Sequence, residues 1–189
     1  MNLRFLPNAL CVLRMLLAAP VALVLWYGQY RWTFVLFGIA AVTDGLDGFL
    51  AKRFGWTSEL GKILDPLADK LLLITVFVTL ALQGAVPVWV ASLAVSRDIV
   101  ITAGAIAYRM IYGYVDGHPT LISKLNTVCQ IFYVLGVIAF AAADRPPAGL
   151  LIMLQWIVVM TTVGSGCDYV ITYSRRAIDE SKRRRAAVR

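Results

Sequence analysis

Six apolar stretches, each close to the length of a bilayer-crossing helix, constrain the fold of this chain more than any other feature. They run near 6–27, 32–51, 63–83, 87–108, 121–142 and 148–173, and a hydrocarbon core needs roughly 20 residues of helix. Within lipid the backbone must satisfy its own N–H and C=O groups, which selects helices for such stretches. The connections are short and leave no room for a separate soluble module. The expected fold class is therefore all-α: a polytopic bundle of six transmembrane helices over 1–174, followed by a basic cytoplasmic tail over 175–189. Composition agrees, with 15% charged residues and 60% hydrophobic ones among the 189, where soluble domains carry about 25% charged.

Charge fixes an expected orientation. Arg4, the Lys52–Lys62 loop, Arg109 and the tail fall on one side of a six-span arrangement, and the opposite loops offer Arg31 and Arg145. The positive-inside bias puts both termini in the cytoplasm. Tyr27, Tyr30, Trp32, Trp89 and Tyr173 stand near span ends, where aromatic belts form. In the tail, Arg175, Arg176, Lys182, Arg183, Arg184, Arg185 and Arg189 outnumber Asp179 and Glu180. Such a run suits anionic lipid head groups; without a folded basic surface, nucleic acid is not an expected partner. The first span reads as a retained helix instead of a cleaved signal. The lack of an Arg- and Ser-rich leader points to a bacterial inner membrane, with the cytoplasmic side carrying the site described next.

Four aspartates interrupt this apolar background: Asp44, Asp47, Asp65 and Asp69. On a helix, Asp44, Asp47, Gly48 and Ala51 share one face at i, i+3, i+4 and i+7, while Gly61, Asp65 and Asp69 form a stripe at i, i+4 and i+8. An ionisable group at the centre of a span costs roughly 2.5–3.5 kcal/mol, which makes it a functional-site hypothesis by default. Four carboxylates of one sign need cations to stay ionised together. Hard oxygen donors suit Mg²⁺, Mn²⁺ or Ca²⁺ and not zinc, and two such ions can clamp a diphosphate. Gly48, Ala51 and Gly61 would let a bulky ligand approach, Lys52 offers a point charge to a phosphate, and Asp69 could take a proton from an attacking hydroxyl. Ordinary helix packing by small residues is the bland alternative, and it explains one or two aspartates better than four on two regular stripes.

Other reactive residue types carry less. Cys11, Cys129 and Cys167 lie in different spans without paired spacing and read as small buried hydrophobes. His118, the single histidine, falls in a turn and reads as solvated. In the fourth span Arg97 and Asp98 break the apolar run, and in the fifth Ser123, Asn126, Thr127 and Gln130 make a polar stripe beside Lys124. Arg97 and Lys124 are candidates to hold an anionic phosphate. The plainer alternatives are that Arg97 pairs with Asp98 or snorkels, and that Lys124 marks an interfacial helix start. Arg14, in the first span, is a weaker candidate of the same kind.

The segment from Asp44 to Asp69 resembles the CDP-alcohol phosphatidyltransferase signature D-x2-D-G-x2-A-R-x8-G-x3-D-x3-D, with Lys52 in the place of the arginine. A bidentate guanidinium there becomes a single ammonium. The six-span bundle fits that family as well. The resemblance implies two Mg²⁺ or Mn²⁺ ions held by Asp44, Asp47, Asp65 and Asp69, with Asp69 as general base. Gly48, Ala51, Lys52 and Gly61 would line the nucleotide side, and a homodimer is implied. Val95–Asp98 and Pro119–Thr127 are similar to the corresponding segments of mitochondrial-type cardiolipin synthases. Those transfer the phosphatidyl group of CDP-diacylglycerol to phosphatidylglycerol and release CMP, so Arg97 and Lys124 would bind the acceptor phosphate. Phosphatidylglycerophosphate synthesis from glycerol 3-phosphate is the alternative within the class. Outside it stand a cation-coupled transporter, against which the chain shows no inverted repeat, and an inactive scaffold.

Overall fold

A computed structural model describes residues 6–54, 61–112 and 120–187, with side chains described for 15–43, 70–104 and 120–172. Among the described residues every regular element is helical: α1 (Leu6–Trp26), α2 (Tyr30–Phe54), α3 (Gly61–Leu82), α4 (Val88–Tyr112), α5 (Leu121–Ala143) and α6 (Ala148–Ala187). Most boundaries fall within a few residues of the apolar stretches. The clear exception is α6, which runs on for 40 residues through the basic stretch. Hydropathy stops near Tyr173, but Arg, Lys, Ala and Glu are good helix formers, and neither Gly nor Pro occurs beyond Gly166.

Local signals explain several helix ends. Gly28 (φ 70) and Gly84 (φ 72) take the left-handed conformation that the α1–α2 and α3–α4 turns require. Thr120 caps α5, its Oγ1 accepting from the Ser123 backbone N–H at 3.3 Å. Gln83 Nε2 donates to the carbonyls of Leu25 (2.8 Å) and Trp26 (3.2 Å) at the end of α1, the first of which also accepts from the Gly28 backbone N–H at 2.9 Å.

Pairings between helices give their directions. Gln83 reaches Leu25, and Lys70 and Phe77 meet Thr127 and Tyr133, so α1, α3 and α5 run the same way. From Asn126 to Tyr133 along α5 the partners step back from Thr162 to Gln155, so α6 is antiparallel to α5. Trp89 packs on Trp156 (ring centroids 6.1 Å apart) and Arg97 bonds Ser165, so α4 follows α6. The three-residue link from Tyr27 to Gln29 turns α2 back along α1. The ends of α2 and α4 therefore lie with the starts of α3 and α5 at one end of the bundle.

The described apolar core fills the other half. Val21, Leu25, Phe37, Val76, Phe77, Leu80, Val90, Val134 and Ile138 are almost completely buried there. Large apolar side chains also cover the outside, among them Leu16, Leu23, Trp32, Phe132 and Met160. Arg97, Asp98, Asn126, Gln130 and Ser165 are buried inside. A polar interior within an apolar surface fits lipid surroundings, where close packing and interhelical hydrogen bonds hold helices together. Among the described residues, α5 and the Ala148–Thr172 part of α6 are long and apolar enough to cross a membrane. The described apolar parts of α1, α2 and α3 are shorter.

Candidate functional site

Asp44, Asp47, Gly48, Ala51 and Lys52 fall in the second half of α2, and Gly61, Asp65 and Asp69 in the first half of α3. Both stretches belong to the same end of the bundle, and both helices pack against α1 and α5. The side chains of these eight residues lie outside the described residues, as do those of Arg14 and Cys11, and His118 entirely. Among the described residues no group of three or more His, Cys, Asp or Glu could hold a metal ion. The donor chemistry of the four aspartates, carboxylate oxygens without nitrogen or sulfur, fits Mg²⁺ or Mn²⁺.

One residue past Asp69, the described side chains resume in a polar network that joins four helices. Lys70 Nζ on α3 donates to Asp98 Oδ1 on α4 at 2.9 Å and to Thr127 Oγ1 on α5 at 3.3 Å. Arg97 donates from one terminal nitrogen to the same Asp98 oxygen at 2.6 Å. Its other terminal nitrogen donates to Ser123 Oγ on α5 at 2.7 Å and to Ser165 Oγ on α6. The side chains of Arg97 and Asp98 are 5% and 2% exposed. Lys70 is more open at 19%. Two cations thus share one carboxylate, and Arg97 Nε is buried with no hydrogen-bond partner among the described residues. Removing one ion of a buried pair strands the other at several kcal/mol.

The polar stripe expected on α5 does face inward. Ser123 and Thr127 join this network, and Asn126 Oδ1 accepts from Thr161 (2.8 Å) and Thr162 (2.9 Å) on α6. Asn126 and Gln130 are completely buried. Arg97 pairs with Asp98, as its plainer alternative held, and also reaches two further helices. Lys124, one residue from Ser123, is exposed. Cys129 is half-buried, but Cys167 is exposed on α6, which corrects the reading of the cysteines as buried hydrophobes.

Lys70 and Ser165 were not legible as site residues in the sequence. Lys70 carried one usable signal, a charge that opens the apolar run Leu71–Leu82 directly after the last aspartate. Ser165 stands in a Gly-Ser-Gly triplet inside an apolar helix, which reads equally well as a packing motif.

Residues 4–164 match the family profile described as CDP-alcohol phosphatidyltransferase. A Schizosaccharomyces pombe cardiolipin synthase (CMP-forming) / mitochondrial hydrolase fusion protein is 31% identical, over 96% of this chain and 33% of that protein. The Homo sapiens cardiolipin synthase (CMP-forming) is 29% identical over 94% of this chain and 64% of its own length. A Bacillus subtilis CDP-diacylglycerol–glycerol-3-phosphate 3-phosphatidyltransferase is 27% identical over 87% of this chain and 92% of that protein. The chain thus spans about a third of the fusion protein and just under two thirds of the human one.

Proposed function

The chain belongs to the CDP-alcohol phosphatidyltransferase family, and from that premise we propose that it is a cardiolipin synthase acting on CDP-diacylglycerol and phosphatidylglycerol. The observation that carries the reading is the aspartate signature on α2 and α3, at the bundle end towards which the buried Lys70–Asp98–Arg97 network lies. The likeness to cardiolipin synthases over most of the chain supports the lipid acceptor. The likeness to the Bacillus enzyme keeps glycerol 3-phosphate as the second reading.

Asp44, Asp47, Asp65 and Asp69 would hold two Mg²⁺ or Mn²⁺ ions. When bound, such ions neutralise diphosphate charge and ease departure of the leaving oxygen. Gly48, Ala51 and Gly61 present small surfaces to the nucleotide, and Lys52 supplies one positive charge to its phosphates. Arg97 and Lys124 bind the phosphate of the acceptor. Asp69 accepts the proton of the acceptor hydroxyl, whose oxygen bonds to the phosphorus nearer the lipid. The bond from that phosphorus to the bridging oxygen breaks, and CMP leaves with the electron pair. The enzyme forms no covalent bond in this scheme.

In the same reading all six helices cross a bacterial inner membrane with the aspartate end in the cytoplasm. The catalytic bundle covers 1–174, the basic stretch 175–189 lies on anionic head groups, and the protein works as a homodimer. The test of class uses purified protein with CDP-diacylglycerol, phosphatidylglycerol and Mg²⁺. Release of CMP that Asp47→Ala abolishes supports the proposal; cation flux in vesicles without CMP release would favour a transporter.

A further inference from the structure

At the end of the bundle away from the aspartates, the start of α2 and the end of α5 flank a cavity of about 280 Å³. Gln29, Tyr30, Arg31 and Trp32 line one side, and Ala141 and Ala142 the other. The scheme above makes no use of it. Arg31 lies about 20 Å along α2 from Asp44, at about 1.5 Å per residue, so the cavity is separate from the aspartate stripes. Its volume far exceeds the share of a single water, about 30 Å³, and suits a small polar group.

The two walls differ in electrical character. On the α2 side stands the Arg31 guanidinium. The ion pairs among the described residues are Lys70–Asp98 and Arg97–Asp98, and Arg31 belongs to neither. A guanidinium offers N–H donors and no acceptor, in a fork that matches a phosphate. The other wall is the end of α5, where the Asp144 N–H closes the helix on the Phe140 carbonyl at 2.8 Å. The carbonyls of Ala141 and Ala142 come after that bond, among the acceptors a helix end leaves over, and the helix dipole favours a cation there. Asp144 and Arg145, one of each sign, follow outside the lining. Tyr30 and Trp32 add ring faces, which attract a cation. Below Arg31 on the same face of α2, at i+4, i+8 and i+11, Val35, Ile39 and Val42 form an exposed apolar stripe.

We propose that this cavity is a head-group site for a membrane phospholipid carrying a phosphodiester and a primary ammonium, in the leaflet opposite the aspartates. Arg31 takes the phosphodiester. The ammonium donates to the carbonyls of Ala141 and Ala142 beside the rings of Tyr30 and Trp32. A primary ammonium has three N–H donors for these acceptors; a quaternary ammonium has none, and a glycerol head group brings no positive charge. The apolar stripe Val35–Ile39–Val42 continues from Arg31 and gives an acyl chain its track, which selects a lipid over a free phosphate ester. The site rests on the membrane-spanning reading of the bundle and is independent of the transfer chemistry.

Binding is counted by native mass spectrometry on the full chain in detergent. The probes are short-chain phosphatidylethanolamine, phosphatidylcholine and phosphatidylglycerol, and the soluble ester phosphoethanolamine. The quantity compared is the binding that Arg31→Gln removes, which sets aside lipid held at the aspartate end. Arg31→Gln should weaken phosphatidylethanolamine binding about tenfold or more, the worth of a hydrogen bond to a charged group. Ala142→Leu, which fills the cavity, should do the same. Arg145→Gln, a charge at the same end outside the lining, should leave it unchanged. The Arg31-dependent component should be smaller for the other two lipids and absent for phosphoethanolamine, which has no chains. Equal affinity in wild type and Arg31→Gln, an equal loss in Arg145→Gln, or full binding by Ala142→Leu would overturn the site. So would an Arg31-dependent component as large for phosphatidylcholine or phosphatidylglycerol, or tight binding of phosphoethanolamine. Arg31-dependent lipid binding combined with no CMP release would instead contradict the phosphatidyltransferase reading and leave this site standing.

Discussion

Replacing Asp98 with alanine removes the shared acceptor of two cations. Breaking a buried ion pair by deleting one partner costs about 3–5 kcal/mol, chiefly because the remaining charge is stranded. Lys70 is 19% exposed and can be partly solvated, and Arg97 keeps Ser123 and Ser165. The lower end, about 3 kcal/mol, is therefore the better figure. At about 2–4 °C per kcal/mol for a chain of this size, the unfolding temperature should drop by about 6–12 °C. The assay is thermal unfolding in nanodiscs of fixed lipid composition. Asp98→Asn, which keeps an oxygen acceptor, should lie between the two. The double variant Asp98→Ala with Lys70→Met removes one stranded cation and should be more stable than Asp98→Ala alone. A loss below about 2 °C in Asp98→Ala, or a double variant whose loss equals the sum of the two singles, would refute the shared-carboxylate reasoning.

Asp69→Asn should lower kcat by about 10²–10⁴-fold, the usual contribution of a general base, while Mn²⁺ binding falls much less; turnover near wild type would remove Asp69 from that role. Lys52→Arg should leave the KM for CDP-diacylglycerol unchanged or lower it, because a guanidinium can hold phosphate with two parallel bonds. A Cβ added at Gly104 would meet the Tyr169 ring, with its hydroxyl closer than contact and Cε1 and Cζ at 3.1 Å. Gly104→Ala should consequently destabilise the α4–α6 contact by about 1–3 kcal/mol, and adding Tyr169→Phe should recover part of the loss in the same unfolding assay.

Much of the helical architecture was readable in the chain because apolar length sets where helices lie in a membrane-type sequence. The end of α6 was not readable that way, since helix continuation past Tyr173 depends on backbone propensity and hydropathy is silent about it. The inward face of α5 followed from its own spacing: Ser123, Asn126, Thr127 and Gln130 fall on one side of a 3.6-residue helix. What that face meets did not follow. Lys70 finds Asp98 and Thr127 across 28 and 57 residues of sequence, and Arg97 finds Ser165 across 68. Such pairings depend on how helices are set against each other, which no local pattern encodes. The aspartate stripes were legible because helix periodicity alone places them, and their role at the site is an inference from spacing and chemistry.

The central claim is transfer of a phosphatidyl group from CDP-diacylglycerol to phosphatidylglycerol, and the most direct measurement identifies the lipid product. Purified protein is given CDP-diacylglycerol and Mg²⁺ or Mn²⁺, with phosphatidylglycerol and glycerol 3-phosphate supplied in separate reactions, and the lipids are resolved by mass spectrometry. Cardiolipin formed in step with CMP from the first acceptor is the predicted result. Phosphatidylglycerophosphate from the second acceptor, with no cardiolipin from the first, would contradict it.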